Sequence, residues 1–141
     1  RDSVAALAAR LHGRGGSASL RPASGALFDL LLRPAASCLG EVERVDVQPT
    51  VQQYIVALCR ATRESPSVEL GVSPRGAAAL LHASKAWAWL SGKTYVTPDE
   101  VKAVVKPTLR HRVLVRPELE LDGVSADGLL DSVLATVPAP R

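Results

Sequence analysis

Cysteine, methionine and long apolar runs are scarce or absent in this 141-residue chain, and each absence excludes a class of protein. Cys38 and Cys59 are too few for a disulfide scaffold and lie outside any C-x-x-C motif, so we expect small buried hydrophobic residues in a reducing cytosol. No apolar run approaches the ~18 residues that span a bilayer, and the first residues lack a signal-peptide core. We therefore expect a cytoplasmic protein. Because the chain begins with Arg1 and has no methionine, we expect a fragment or a processed product.

Excess charge of one sign is also scarce. The 17 basic and 14 acidic side chains leave a net charge of +3 that is spread over both halves of the chain. A surface that follows nucleic-acid phosphates needs a concentrated basic patch, so we expect no nucleic-acid partner. His12, His82 and His111 lie far apart and lack metal-ligand spacing, so we expect no metal site.

Apolar side chains recur at helical spacing along most of the chain. The clearest amphipathic segment is 49–64, and further helical patterns cover 2–12, 27–33, 74–91, 97–106 and the part from Ser125 to before Pro138. A Gly-, Ser- and Pro-rich loop is predicted at 13–26, and the period-two alternation at 42–47 predicts either a short strand or an extended connection. Five or six helices with at most one short strand pair make an all-α helical bundle.

The helical spacing also predicts which side chains are buried. Trp87 and Trp89 cannot face the same core, so one of them is expected at an interface or against a loop. The predicted buried positions are Val51, Tyr54, Ile55, Leu58, Cys59 and Thr62, then Ala77, Leu80, Leu81, Ser84, Trp87 and Ala88, then Val101, Val104 and Val105, and finally Leu129, Leu130, Val133 and Leu134.

Two helix starts are written clearly in the sequence. Ser73 is a capping residue followed by Pro74 at the first helical position. Thr97 and Pro98 repeat that arrangement, and Glu100 can complete a capping box. Gly92 is expected to end the helix that begins at Pro74.

Arg75 lies in the first turn of its helix, where a cation meets the positive end of the helix dipole. Free N–H groups, dipole and guanidinium together suit an anion. The plainer alternative is a solvated surface arginine. Arg63, near the end of the preceding helix, favours the dipole and is expected to be a solvated cap.

Two sequences that look like phosphate-binding loops are discounted. Gly92-Lys93-Thr94 lacks the earlier glycine of the P-loop, the strand before it and the helix straight after it. The glycine-rich run Gly13–Ser17 lacks the lysine and the preceding strand. We expect a coincidence in the first case and a linker in the second.

The order and spacing of several blocks resemble the C-terminal part of MoxR-family AAA+ ATPases. The resemblance is close over roughly residues 45–115. The blocks that carry it are Tyr54–Val56, Ala61–Arg63, Leu70–Gly76, Gly92–Val101 and Leu109–Arg112.

This resemblance implies a helical lid (46–141) that packs over a nucleotide held by an ATPase core, with 1–45 as a partly helical connection from that core. Arg75 looks like the sensor-2 arginine, which reaches the nucleotide phosphates. Arg63, Ser73 and Pro74 are candidates for the same surface or for a subunit contact. Arg110, His111 and Arg112 are expected to be structural or interfacial.

The resemblance further implies a parent protein that uses ATP and Mg²⁺, forms a homo-oligomeric ring and acts like a chaperone on partner proteins, including ones with von Willebrand A domains. The P-loop, the Walker B acids, the first sensor and the arginine finger are absent from the chain. We therefore expect that the chain alone is not an ATP hydrolase.

Two other functions remain open from the sequence. One is a helical protein-interaction module with no link to nucleotide. The other is a DNA-binding helical module that uses a basic stripe of Lys102, Lys106, Arg110 and Arg112. Pro107 is expected to break the helix within that stripe, which argues against DNA.

Overall fold

The computed structural model describes residues 38–140, and this part is mostly helical. Six helices and one small two-stranded sheet confirm the predicted all-α bundle with a single short strand pair. The helices predicted at 2–12 and 27–33, the loop at 13–26 and most of the connecting segment 1–45 lie outside the described residues. After a helical segment that ends at residue 43, the elements are α1 (Pro49–Glu64), β1 (Val68–Leu70), α2 (Pro74–Leu90), α3 (Pro98–Leu109), a 3₁₀ turn (Arg110–Arg112), β2 (Leu114–Val115), α4 (Pro117–Leu121) and α5 (Ala126–Thr136).

The amphipathic pattern of α1 produces the buried face that its spacing predicts. All six predicted positions, from Val51 to Thr62, are buried. Burial raises the pKa of the Cys59 thiol, which keeps it protonated and lets it pack as a small apolar side chain. No described helix is long and apolar enough to cross a membrane.

One core is shared by the helices. α2 packs most extensively on α3 and also contacts α1, while α5 closes the bundle against α1, α3 and the 3₁₀ turn. Leu58, Leu80, Leu109 and Leu130 are each at most 1% exposed, so every long helix contributes a leucine to the centre. Leu134 is only partly buried, at the edge of that core.

Of the two alternatives for 42–47, a short strand or an extended connection, the strand is wrong. A helical segment continues to residue 43, and only Asp46 pairs in extended form, through a single parallel bridge to Tyr95. The strand pair is instead the antiparallel β1–β2 pair, in which Val68 faces Val115 inside the core. Alternation over six residues did not make a strand here because the first of them join a helix that packs on α2.

The buried face of α2 also departs from the prediction at its end. Trp89 is buried, whereas Trp87 is 41% exposed. The side of α2 opposite the core is covered near its end by the segment that ends at residue 43. Glu41 on that segment accepts a hydrogen bond from the Trp89 indole N–H at 3.1 Å.

α3 runs through Pro107 to Leu109, so the predicted break is wrong. Proline removes the N–H that would bond the carbonyl of Ala103. Ala103 lies on the exposed face of α3, where water can hydrate that carbonyl. The helix therefore survives with one bond fewer.

The start of α3 forms the predicted capping box. The buried carboxylate of Glu100 accepts hydrogen bonds from the Thr97 backbone N–H at 2.8 Å and from the Thr97 hydroxyl. Lys93 adds an ion pair at 2.5 Å. Both carboxylate oxygens of Glu100 are therefore bonded from within the chain.

Candidate functional site

The loop between β1 and α2 is held through both backbone groups of a single residue, Val72. The Val72 N–H donates to the Thr62 hydroxyl at 3.0 Å, and Arg63 Nη1 donates to the Val72 carbonyl at 2.7 Å. The Thr62 hydroxyl itself donates to the carbonyl of Cys59 at 2.7 Å. Val72 is fully buried, so its backbone groups need these partners in place of water.

Two glycines allow this close approach. A Cβ on Gly71 would lie 2.6–2.8 Å from Cγ, Cα and the backbone N of Arg63. A Cβ on Gly76 would lie 2.6 Å from Cγ1 of Val72. Only glycine fits either position without movement of its neighbours.

Ser73 and Pro74 start α2 as the sequence predicts. The Ser73 hydroxyl accepts a hydrogen bond from the Gly76 N–H at 3.3 Å, and Pro74 occupies the first position of the helix. These contacts fix the direction in which the first turn leaves the loop.

The side chain of Arg75 takes no part in the contacts that hold this block. It is exposed, and no described residue forms a hydrogen bond or an ion pair with its guanidinium. The first turn of α2 also holds no acidic residue. Among residues 38–140, the cation and the positive end of the helix therefore stand together without a countercharge, an arrangement that can bind a phosphate or a carboxylate.

The structure brings Arg63, Ser73, Pro74 and Arg75 together at one corner, where α1 ends and α2 begins. Arg63 is not a merely solvated cap, because its guanidinium bonds to the Val72 carbonyl. This contact is with the backbone of the loop that immediately precedes α2 and Arg75.

The 3₁₀ turn borders the same corner. Cδ of Arg112 lies 3.6 Å from the Cβ position of Gly76, so the aliphatic stem of this arginine packs beside the first turn of α2. Its Nε is buried and has no hydrogen-bond partner among residues 38–140. His111 is exposed, and Arg110 faces α5.

Three of the four residues in the basic stripe considered for DNA pair with carboxylates. Lys106 lies 2.7 Å from Asp131, and Arg110 lies 3.3 Å from Asp127. Lys102 lies 4.0 Å from Asp99. The argument against DNA therefore rests on these ion pairs, since the helix is not interrupted at Pro107.

Within residues 38–140, no group of three or more His, Cys, Asp or Glu side chains is placed to hold a metal ion. Lys93, in the Gly-Lys-Thr run, pairs with Glu100. It lies in the turn after α2, and no helix follows it directly as one would in a phosphate-binding loop. The corner thus offers donors for an anion but no ligand set for Mg²⁺.

Sequence reasoning missed two contributions. Thr62 was expected only as a buried position, yet its hydroxyl fixes the Val72 N–H. A polar residue on an apolar face was the signal available for it. Lys93 as the partner of Glu100 had no local signal, because the pair forms across the turn between two helices.

Residues 60–133 match the profile of the AAA lid domain. Three curated relatives align over much of the chain. An uncharacterized protein of Bacillus subtilis, YeaC, is 38% identical over 71% of the chain and 31% of its own length. The protein MoxR of Paracoccus denitrificans is 35% identical over 65% of the chain and 31% of its length. The chaperone MoxR1 of Mycobacterium tuberculosis is 29% identical over 67% of the chain and 28% of its length.

A crystal structure of a candidate ATPase from Cytophaga hutchinsonii superposes with a TM-score of 0.69 and 26% identity. The match covers 81% of the chain and 36% of that protein. The chain therefore spans about a third of the length of the curated relatives and of the structure that it matches.

Proposed function

The chain belongs to the AAA lid domain family, as the lid of a MoxR-type AAA+ ATPase, and from this premise we propose that it senses nucleotide through Arg75. In the full-length protein, the guanidinium would contact the phosphates of a nucleotide that the ATPase core binds. The core would supply the Mg²⁺ ligands and the groups that position the attacking water.

The observation that carries this proposal is the state of Arg75 within its block. Gly71, Val72, Ser73 and Gly76 are each used by the fold, through a close approach, burial or a cap. Arg75 is exposed instead, at a positive helix end whose first turn carries no acidic residue, and no residue within 38–140 pairs with it. An exposed arginine in that place costs stability, so a ligand outside the lid is the simplest reason for it.

Beyond the lid itself, we assign residues 1–45 to the connection with the core and 46–141 to the lid. We place the parent protein in the cytoplasm as a homo-oligomeric ring that hydrolyses ATP and remodels partner proteins, including ones with von Willebrand A domains. The relative named chaperone MoxR1 supports chaperone-like action, and membership of the AAA+ class supports assembly into oligomers.

The test is nucleotide affinity and ATP turnover of Arg75→Ala in the full-length protein. Removal of one charged donor aimed at the reacting phosphates is expected to lower turnover by about 100-fold. Arg75→Lys should recover part of that loss, since a point charge cannot replace the planar fork of a guanidinium.

Arg60→Ala is the matched control. Arg60 is also exposed and has no described partner, but it lies on α1, one turn before Arg63. The control should turn over ATP like the parent. Parent-like affinity and turnover in Arg75→Ala would reduce Arg75 to a surface arginine and end the proposal.

One observation favours a protein-interaction surface as a second function. Leu70 and Leu114 pair across the β1–β2 sheet and are 64% and 47% exposed, and Leu121 is 89% exposed. This second function would be supported if Leu114→Ser in the full-length protein left ATPase activity unchanged but abolished the binding of a partner protein. The two functions are compatible, because the leucines and Arg75 lie on different elements.

A further inference from the structure

The last turn of α1 holds two residues that contact the loop before α2. The Thr62 hydroxyl accepts a hydrogen bond from the Val72 N–H, and the Arg63 guanidinium donates one to the Val72 carbonyl. One peptide unit away, Gly71 lies against the backbone of Arg63 with no room for a side chain. The loop is therefore bound to α1 at two consecutive residues.

Val72 transmits this constraint to the first turn of α2. Its side chain is fully buried, and its Cγ1 fills the space where Gly76 would carry a Cβ. Ser73 follows directly and caps the Gly76 N–H. A change in the position of Val72 thus moves the cap and the turn that carries Arg75.

We propose that Thr62 and Arg63 are positioning residues that fix Arg75, acting through Val72 and not through contact with nucleotide. The functional part of this inference rests on the proposed role of Arg75. Arg63 suits the task because its charge also favours the C-terminal end of α1, so the side chain has two reasons to stay in place.

The informative substitution is Arg63→Met, which keeps an unbranched stem against Gly71 and removes the donor. In the full-length protein, amide exchange at Val72 and Gly76 should become about tenfold faster, because local opening depends on the bonds that hold the segment. ATP turnover should fall by about tenfold, less than the roughly 100-fold that a 1 Å misplacement can cause.

Conservative variants separate positioning from general damage. Arg63→Lys keeps a donor and should recover part of both effects. Thr62→Ser keeps the hydroxyl and should resemble the parent, whereas Thr62→Val removes it at nearly constant volume and should speed exchange at Val72. Arg60→Met, one turn earlier on α1, is the matched control and should change neither readout.

A double variant decides between positioning and direct contact. If Arg63 acts through Arg75, then Arg63→Met combined with Arg75→Ala should turn over no more slowly than Arg75→Ala alone. Losses that multiply would mean that Arg63 acts independently, and the inference would be overturned. Unchanged exchange in Arg63→Met would overturn it as well.

Failure of the underlying proposal looks different. Parent-like turnover in Arg75→Ala would remove the phosphate-sensing role. The exchange rates of Val72 and Gly76 in Arg63→Met would still decide whether α1 holds the start of α2.

Discussion

α2 and α3 begin with the same chemistry and finish their first turns in opposite ways. Each has a hydroxyl residue at the cap and a proline at the first position. The next two residues are Arg75 and Gly76 in α2, but Asp99 and Glu100 in α3. α3 thus meets its dipole with two acids, whereas α2 meets it with a cation.

The difference separates a start that is complete within the chain from one that is left open. Glu100 is buried and accepts from Thr97 and Lys93, so the beginning of α3 needs nothing more. The beginning of α2 has its cap but no acidic residue in its first turn. The first arrangement stabilises the lid, and the second leaves an exposed cation at the helix start, to which we assign the proposed contact with nucleotide.

The largest expected effect on stability is at Glu100, at the start of α3. Glu100→Gln removes the charge that accepts from Thr97 and Lys93, so we expect a loss of about 2 kcal/mol in the free energy of unfolding. Urea titration measures it. Asp99→Asn, on an exposed neighbour, should stay within about 0.5 kcal/mol, and equal losses in the two variants would contradict the special role of Glu100.

The pH dependence of stability gives a second test of the role of Glu100. Burial of Glu100 pushes the pKa of its carboxyl up, but hydrogen bonds from Lys93 and Thr97 and the charge of Lys93 outweigh burial, so the pKa is lowered. A lowered pKa adds stability above the unfolded value of about 4.3, and this stability is lost as pH falls through the folded value. The stability gap between parent and Glu100→Gln should therefore narrow on acidification below about pH 5.

A smaller effect is expected at the glycine that lies three residues after the capping serine in each of the helices α2 and α5. Gly76 and Gly128 both donate their N–H to a capping serine. Gly76→Ala would force its Cβ onto Val72 and should cost about 1–2 kcal/mol. Gly128→Ala meets only Ser125 Oγ at 3.4 Å and should be neutral or stabilising by up to about 1 kcal/mol. Thermal unfolding of both variants tests the difference, and similar melting temperatures would refute it.

The smallest effect has the opposite sign. Arg75→Asp gives α2 the acid that α3 carries at the same position, and it should stabilise the chain by about 0.5 kcal/mol through the helix dipole. In the full-length protein the same substitution should abolish phosphate sensing. A loss of stability in Arg75→Asp would show that the arginine supports the fold, which would erase the contrast between the two starts.

Local rules were sufficient for the helix starts and for most buried faces. Ser73, Thr97 and Ser125 cap where the sequence places them, and Gly92 takes the positive φ of 78° that ends α2. These features depend on residues within one turn of each other. The placement of Arg75 in the first turn of α2 followed from the same rules.

Features that depend on distant partners were not predictable. Trp89 rather than Trp87 is buried because a segment more than forty residues earlier, carrying Glu41, packs on that side. α3 passes Pro107 because its lost bond faces solvent, which no local pattern reports. The bond of Arg63 to Val72 likewise depends on how β1 returns the chain to α1.

α2 also connects two ends of the lid. From Arg75 to Trp89 the helix extends ~21 Å at 1.5 Å per residue. Near its far end, Lys85 bonds to the Glu43 carbonyl at 2.8 Å and Trp89 bonds to Glu41, so the segment that enters the lid is fastened to the rod. A tilt of about 10° at the arginine would displace that attachment by ~4 Å over this length. A displacement of Arg75 by a ligand would therefore also displace the segment that ends at residue 43.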